Sequence, residues 1–465
     1  MTEAYNYQSF VKQLSRKVCT EETTELAIFF AVHHSILLYD FNCLDEVARK
    51  YGKLSIIRPN LYWANSLQGQ YDDWKKAVDA ANSVLEENPP DWLEMEMYLL
   101  RLEASIQDYP KNIYDVTALD MINYLLESNP KLAFYKSRLF DGLALISRRD
   151  GDIETELENL NAGIENAKNF DDLHRLAHLL RTKAGMIQST DRTAALELLR
   201  ESQKLMEVLG DDSGLADVLF HISKLTAIRG EFNKAIEYLL DCVRINESLG
   251  APQGIFALML STYYNIIGNP NAGLEWAKLA ETESRPTIIP RAILNQAWSA
   301  TLQREYDTAS EIIDSTREAI LKSGLESNLG WLYFISGVLE MHLGRYDDAA
   351  GSLENAIDIY ERRGGLMSML ICSLYRARLE IVLMNDVDSD LSDEEELPWI
   401  YLMEEKTRVD DMPGFLGLVL LLKLEVTRLM NKEETPLAIA AEIWTIARDY
   451  DLSFLQEALD RVNPI

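Results

Sequence analysis

The chain has 465 residues, 47% hydrophobic and 26% charged, with 75 acidic against 45 basic side chains and a formal net charge of −30. That composition belongs to a folded protein, long enough for two to four ordinary domains or one long repeat array. The negative field repels nucleic-acid phosphates and anionic membranes, so neither nucleic-acid binding nor membrane insertion is expected.

Residues 1–54 hold helical segments without a clear turn phrase and read as an N-terminal helical cap or a degenerate repeat. The opening MTEAYNYQSFVKQLSRKV lacks the apolar core of a secretory signal. The most apolar runs, LAIFFAVHHSILL (26–38) and GFLGLVLLL (414–422), fall short of the roughly 20 residues needed to span a bilayer and read as buried helices. Cys19, Cys43, Cys242 and Cys372 form no CxxC pair, which fits buried free thiols in a reducing, cytoplasmic setting better than a disulfide scaffold or a zinc site.

From Gly69 onward a turn phrase recurs: GQYDDW at Gly69, GDIETE at Gly151, TDRTAA at Thr190, GEFNKA at Gly230, GNPNAG at Gly268, REYDTA at Arg304 and GRYDDA at Gly344. The gaps are 82, 39, 40, 38, 36 and 40 residues, the first enclosing a degenerate unit near YPKNIYDVTAL (109–119). The flanks are helical in period: after Gly344, Ala349, Ala350, Leu353, Ala356, Ile357 and Tyr360 share one face. Ala235, Ile236, Leu239, Cys242 and Val243 do the same after Gly230. No stretch alternates as strands require. Each unit is therefore helix, tight turn, helix. Glycine ends the first helix in a left-handed cap, a polar residue caps the second, the aromatic plugs the hairpin and the alanine permits close approach. Such a hairpin cannot bury its apolar face alone, so neighbours must stack.

Further units follow near Asn385 and Asn431. Between them, NDVDSDLSDEEE (385–396) places Asp386, Asp388 and Asp390 at the 1-3-5 spacing of a calcium loop. Leu391 and Leu397 stand where that loop needs glycine and a bidentate glutamate, so a solvated acidic insertion is the better reading. Residues 453–465 read as a polar capping helix.

These units resemble tetratricopeptide repeats, most clearly at Gly230-Phe232-Ala235 and Gly344-Tyr346-Ala349, less so at Gly69-Tyr71 and Tyr306-Ala309. Gly337, Ser223, Ser261 and Ala297 meet the family's small position within the first helix. The spacing of 36–41 residues resembles the long repeats of bacterial and archaeal signalling regulators. Neither GxxxxGK[ST] nor a basic C-terminal segment marks the ATPase or helix-turn-helix modules those regulators carry. The resemblance implies an all-α, right-handed superhelical solenoid of antiparallel helix hairpins, roughly 9–11 units. It covers residues 55–385, followed by an acidic insertion loop (386–396) and C-terminal degenerate repeats with a capping helix (397–465).

In that family the first helix of each pair lines a concave groove for peptides. Counting 2, 3, 6, 10 and 13 positions back from Gly344 gives His342, Met341, Val338, Phe334 and Trp331. The same count from Arg304 gives Leu302, Thr301, Trp298, Leu294 and Arg291; from Gly268 it gives Ile266, Asn265, Thr262, Leu258 and Ile255. Either these residues form an exposed aromatic groove of the kind interface hot spots use, or the superhelix closes and buries them as core. Before Gly151 the count gives Arg149, Arg148, Leu145, Asp141 and Arg138. The three arginines could grip an acidic peptide, or be neutralised by nearby carboxylates. The lysine–asparagine clamp of chaperone-binding repeats is missing at these spacings.

His174 and His178 share a helix face but lack the glutamate of HExxH and a third nearby ligand, and His33-His34 point apart on a helix. No nucleophile motif or phosphate loop emerges, so neither metal nor cofactor is expected and the chain reads as a non-enzyme. Two functions remain open: a scaffold binding a protein or peptide of unnamed identity, or a sensor arm of a signalling system binding a small ligand or short peptide.

Overall fold

The computed structural model describes residues 7–20, 24–37, 41–67, 73–107, 114–188, 190–284, 286–386, 398–429 and 435–462. Among them regular structure is entirely helical, 24 α-helices with two short 3-10 turns. The chain divides into two compact units, Met1–His221 with Arg244–Pro252, and Ile222–Val243 with Gln253–Ile465.

Unit 1 runs through α1 (Tyr7–Thr20), α2 (Glu25–Leu37), α3 (Phe41–Tyr51), α4 (Arg58–Leu67), α5 (Asp73–Leu85), α6 (Asp91–Gln107), α7 (Val116–Ser128), α8 (Lys136–Asp150), α9 (Ile153–Asn169), α10 (Leu173–Ile187), α11 (Arg192–Leu209) and the start of α12 (Asp212–Ile228). Consecutive helices pair as hairpins, α4 with α5, α8 with α9 and α10 with α11, and first helices also touch, α6 with α8 and α8 with α10. At the N-terminal end Phe29, Ala31 and Val32 of α2 share a core with Val47, Ala77, Ala81 and Met97. A second core joins Leu99 and Leu102 to Ala118, Ile122 and Leu139.

Unit 2 holds the end of α12 and most of α13 (Phe232–Leu249), then α14 (Gly254–Ile266), α15 (Pro270–Glu283), α16 (Ile289–Leu302), α17 (Tyr306–Ser323), α18 (Glu326–His342), α19 (Tyr346–Arg362), α20 (Leu366–Asp386), α21 (Pro398–Val409), α22 (Pro413–Leu429), α23 (Thr435–Asp449) and α24 (Ser453–Val462). First helices form an inner layer, α14 beside α16, then α18, α20 and α22 in turn. Among them α18 is apolar nearly all round, as a buried helix must be: it buries Trp331, Leu332, Phe334, Ile335, Val338, Leu339 and Met341. The outer α17 and α19 instead bury a single stripe, Ala309, Ile313, Thr316 and Ile320 in α17.

The turn phrase does what its residues dictate. Gly230 and Gly344 sit at φ +80° and +73°, a region that side chains disfavour. Gly230 N donates to Ala227 O and Glu231 N to Thr226 O; Gly344 N donates to Met341 O and Arg345 N to Glu340 O, closing each helix C-terminus. Gly268 repeats the pattern. Phe232, Ala235, Ala309 and Ala349 are fully buried, while Tyr306 and Tyr346 are half-buried. Ser223, Ser261 and Ala297 are fully buried, and a Cβ on Gly337 would lie 2.9 Å from Leu353 Cγ, so the small position is a true close approach. Asp152, Asp191 and Asn269 cap their second helices through side-chain oxygens, but Glu305 and Arg345 do not. Gly69, Tyr71 and the acidic stretch 387–397 lie outside the described residues.

The C-terminal helices of unit 2 return to its first turn. Gly414 N donates to Arg229 O (2.8 Å), Arg229 Nη1 pairs with Asp411 (2.9 Å), and Asn233 Nδ2 donates to Ser453 Oγ (2.7 Å). Phe232 stacks edge-on against Phe415 and Phe454. A Cβ on Gly230 would stand 2.6 Å from Gly414 Cα, so both glycines are needed for the approach. Through these contacts the inner layer of unit 2 closes on itself.

Candidate functional site

In unit 1 the first helices carry a linked charge array. Arg138 on α8 donates through Nε and Nη2 to both oxygens of Glu103 (2.6 and 2.9 Å) and through Nη1 to Glu96 Oε2 (2.6 Å). The Tyr135 hydroxyl donates to Glu96 Oε1 (2.9 Å). Burial works against the Arg138 charge, yet Glu103 and Glu96 raise its affinity for the proton well above the usual range. Alongside runs a relay from α12 to α8. Arg181 Nη1 donates to Asp217 Oδ2 (2.6 Å), its Nη2 meets His178 Nδ1 (2.8 Å), and His178 Nε2 lies 3.0 Å from Asp141 Oδ2, which also accepts from Arg175 (3.1 Å). An arginine only donates, so His178 Nδ1 is the acceptor and its proton sits on Nε2, toward Asp141. Burial lowers the His178 pKa and keeps the ring neutral. Asp141 is held well below the carboxylate range: burial opposes this, and His178, Arg175 and Arg181 override it.

The three arginines expected to grip an acidic peptide are thus already engaged. Arg138 has Glu96 and Glu103, Arg148 pairs with Glu156, and Arg149 Nη1 donates to Ile106 O (3.1 Å). His174 and His178 face separate carboxylates, Asp211 (3.1 Å) and Asp141, and do not converge. His33 and His34 stack on Phe29 and Phe30 respectively. The accessible members of the array are Glu103, His178 and Asp217, with side chains 29, 32 and 48% exposed.

In unit 2 the counted residues are mostly core. Trp331, Phe334, Val338, Leu294 and Trp298 are fully buried, and Leu258 and Met341 nearly so. Trp298, Trp331, Phe334 and Tyr375 interlock with ring centroids 4.8–6.0 Å apart, each covering the next. Trp331 Nε1 donates to Asn295 Oδ1 (2.8 Å), whose Nδ2 donates to Thr262 Oγ1 (3.0 Å). The open aromatic groove is therefore replaced by a packed one, because the inner layer closes. Ile255, Arg291 and His342 keep partial exposure. The Arg291 guanidinium lies 4.4 Å from the Trp331 ring centroid and its Nη2 3.5 Å from Ser368 Oγ.

Three features escape the counting rule. Glu96 and Glu103 on α6, and Tyr375 and Arg378 on α20, precede segments without a turn glycine, so there is nothing to count from. On α10, ten back from Thr190 lands on buried Leu180, so the count passes over Arg181. The i, i+4 spacing of His174 and His178 on one helix face is the signal the sequence carries for the α10 cluster. Beyond these faces, an apolar cavity of ≈ 140 Å³ opens between α14, α20 and α22, lined by Ile266, Ile371, Leu374, Tyr375, Arg378, Phe415, Leu418, Leu421 and Leu422.

No family model matches the chain, and no curated protein does. Among solved structures it is similar to the apo form of RapI, at 10% identity over 80% of this chain and 98% of that one, with a TM-score of 0.46. It is also similar to yeast Tom70, at 12% identity over 98% and 96%, TM-score 0.37. A third is a STAND ATPase with a tetratricopeptide-repeat sensor from Pyrococcus horikoshii, at 15% identity over 98% and 65%, TM-score 0.39. All three likenesses stay below a TM-score of 0.5, so the architecture rests on the helices described above. Among the described residues no helix is long and apolar enough to cross a membrane.

Proposed function

We propose that this chain is a non-enzymatic interaction scaffold that holds a peptide or helical segment of a partner protein against the inner face of unit 1. One observation carries the reading: first helices of successive hairpins present a hydrogen-bonded strip of alternating charge, with Glu103, His178 and Asp217 accessible at its edge. Buried charges of this kind cost stability unless fully paired, and Asp141 Oδ1 is buried without a partner. Such a strip offers the carboxylate edges of Glu103 and Asp217 to a polar peptide, with Arg148, 44% exposed beside its partner Glu156, at its end. Panning the full chain against a displayed random-peptide library tests it. A consensus that is enriched on the native chain and lost on Asp217→Asn with Arg148→Ala, at unchanged helicity, supports the reading. No enrichment over a scrambled library removes it.

A second reading, a sensor arm that binds a small ligand, is favoured by a separate observation, the apolar cavity of unit 2.

A further inference from the structure

We infer that the unit 2 cavity is a binding site for a small, free monocarboxylic acid whose apolar part is a single ring or branched chain, with Arg378 as its carboxylate partner. The inference deepens the sensor reading and rests on it.

The apolar part follows from volume and lining. At ≈ 140 Å³ the cavity matches the roughly 150 Å³ at which an apolar protein cavity takes up benzene. Its walls are aliphatic and aromatic from three helices, and Ile266, Leu374, Leu418 and Leu422 remain only half-buried, with apolar surface unspent on packing. A nucleotide or a folded peptide segment exceeds this space.

The acid follows from charge. Arg378 is the one charged residue in the lining, its side chain is exposed at the cavity rim, and among the described residues it has no hydrogen bond and no carboxylate within 4.0 Å. Most other inner-face arginines have such a partner, as Arg138, Arg175 and Arg181 do. The neighbouring His342 has a buried Nε2 without a partner, and the charged groups acting on its ring are Arg378 and Arg304, both cationic. In a protein of net charge −30 this spot holds the Arg378 guanidinium and no carboxylate in its lining. A carboxylate supplies what is missing, because a guanidinium takes both its oxygens at once.

The test is calorimetric titration and thermal melting of the full chain with phenylacetate, 4-methylpentanoate, phenylacetamide and a short peptide ending in phenylalanine. Phenylacetate and 4-methylpentanoate should bind saturably and raise Tm. Phenylacetamide should bind about tenfold or more weakly, since a hydrogen bond to a charged group is lost. Arg378→Gln, at an exposed position, should leave the fold intact and abolish the preference for acid over amide. Leu418→Trp, which fills the cavity, should remove binding of both. Equal binding of amide and acid overturns the inference while leaving the sensor reading standing. Binding of the peptide alone overturns the free acid as the ligand. No saturable binding of any probe overturns both.

Discussion

At Arg304 a residue with a side chain occupies a backbone position that Gly230, Gly268 and Gly344 take in the sister turns, at φ +67°. The left-handed region costs a non-glycine residue about 1–2 kcal/mol, so Arg304→Gly should stabilise unit 2 by about 1 kcal/mol, and Gly344→Ala should destabilise it by a similar amount. Urea denaturation of the two variants checks both signs. Trp331 shows the other side of residue-level reasoning. The count puts it on an inner face, but with no exposure it can offer nothing to a partner. Trp331→Ala should cost about 3–5 kcal/mol through lost packing and leave Asn295 Oδ1 without its donor. A measured loss under 1 kcal/mol would mean the ring is accessible after all.

Helix packing turns single charges into an array. Arg138 sits between two carboxylates contributed by α6, and removing one side of a buried pair leaves the other charge stranded. Arg138→Met alone should destabilise unit 1 by about 3–5 kcal/mol, and adding Glu96→Gln should recover part of the loss. Equal denaturation midpoints for single and double variants would show that the pair is not coupled. The pairing of α6 with α8 was legible only in part. Arg138 could be placed on an inner face by counting from Gly151, but Glu96 and Glu103 precede a segment with no turn glycine. Their meeting depends on how adjacent hairpins stack, which no local pattern encodes.

Over the whole molecule the histidines are unevenly spread: His33, His34, His174, His178 and His221 belong to unit 1 and only His342 to unit 2. Burial lowers the pKa of His33 and His178, and lowers that of His34 to about 3. Above pH about 6.5 these rings are neutral in folded and unfolded chains alike. As pH falls below that value the unfolded chain takes up protons that the fold refuses, so stability decreases toward acid. The slope is up to about 1.4 kcal/mol per pH unit for each ring. Urea midpoints at pH 7.5, 6 and 5 should fall in that order, and His34→Gln should flatten the trend. A midpoint that holds steady or rises toward pH 5 would contradict it.

The sequence by itself determined the repeating hairpin. Glycine, aromatic and alanine at fixed offsets act within one turn, where backbone geometry and close contact leave few alternatives. Where a turn glycine is present, the sequence also orders the positions along the first helix, because helical period and turn position set that together; α6 and α20 precede segments without one and escape the count. Only the tertiary structure decided what the inward faces are. In unit 2, Gly230 meeting Gly414 closes the inner layer, so Trp298, Trp331 and Phe334 become core and a small cavity beside Arg378 remains. In unit 1, carboxylates from the neighbouring α6 turn Arg138, which looks free along the chain, into one side of a buried ion pair, while Arg148 pairs with Glu156 inside its own hairpin. Both outcomes depend on contacts between residues far apart in the chain, Arg229 with Asp411 being 182 positions distant, and local spacing carries no information at that range.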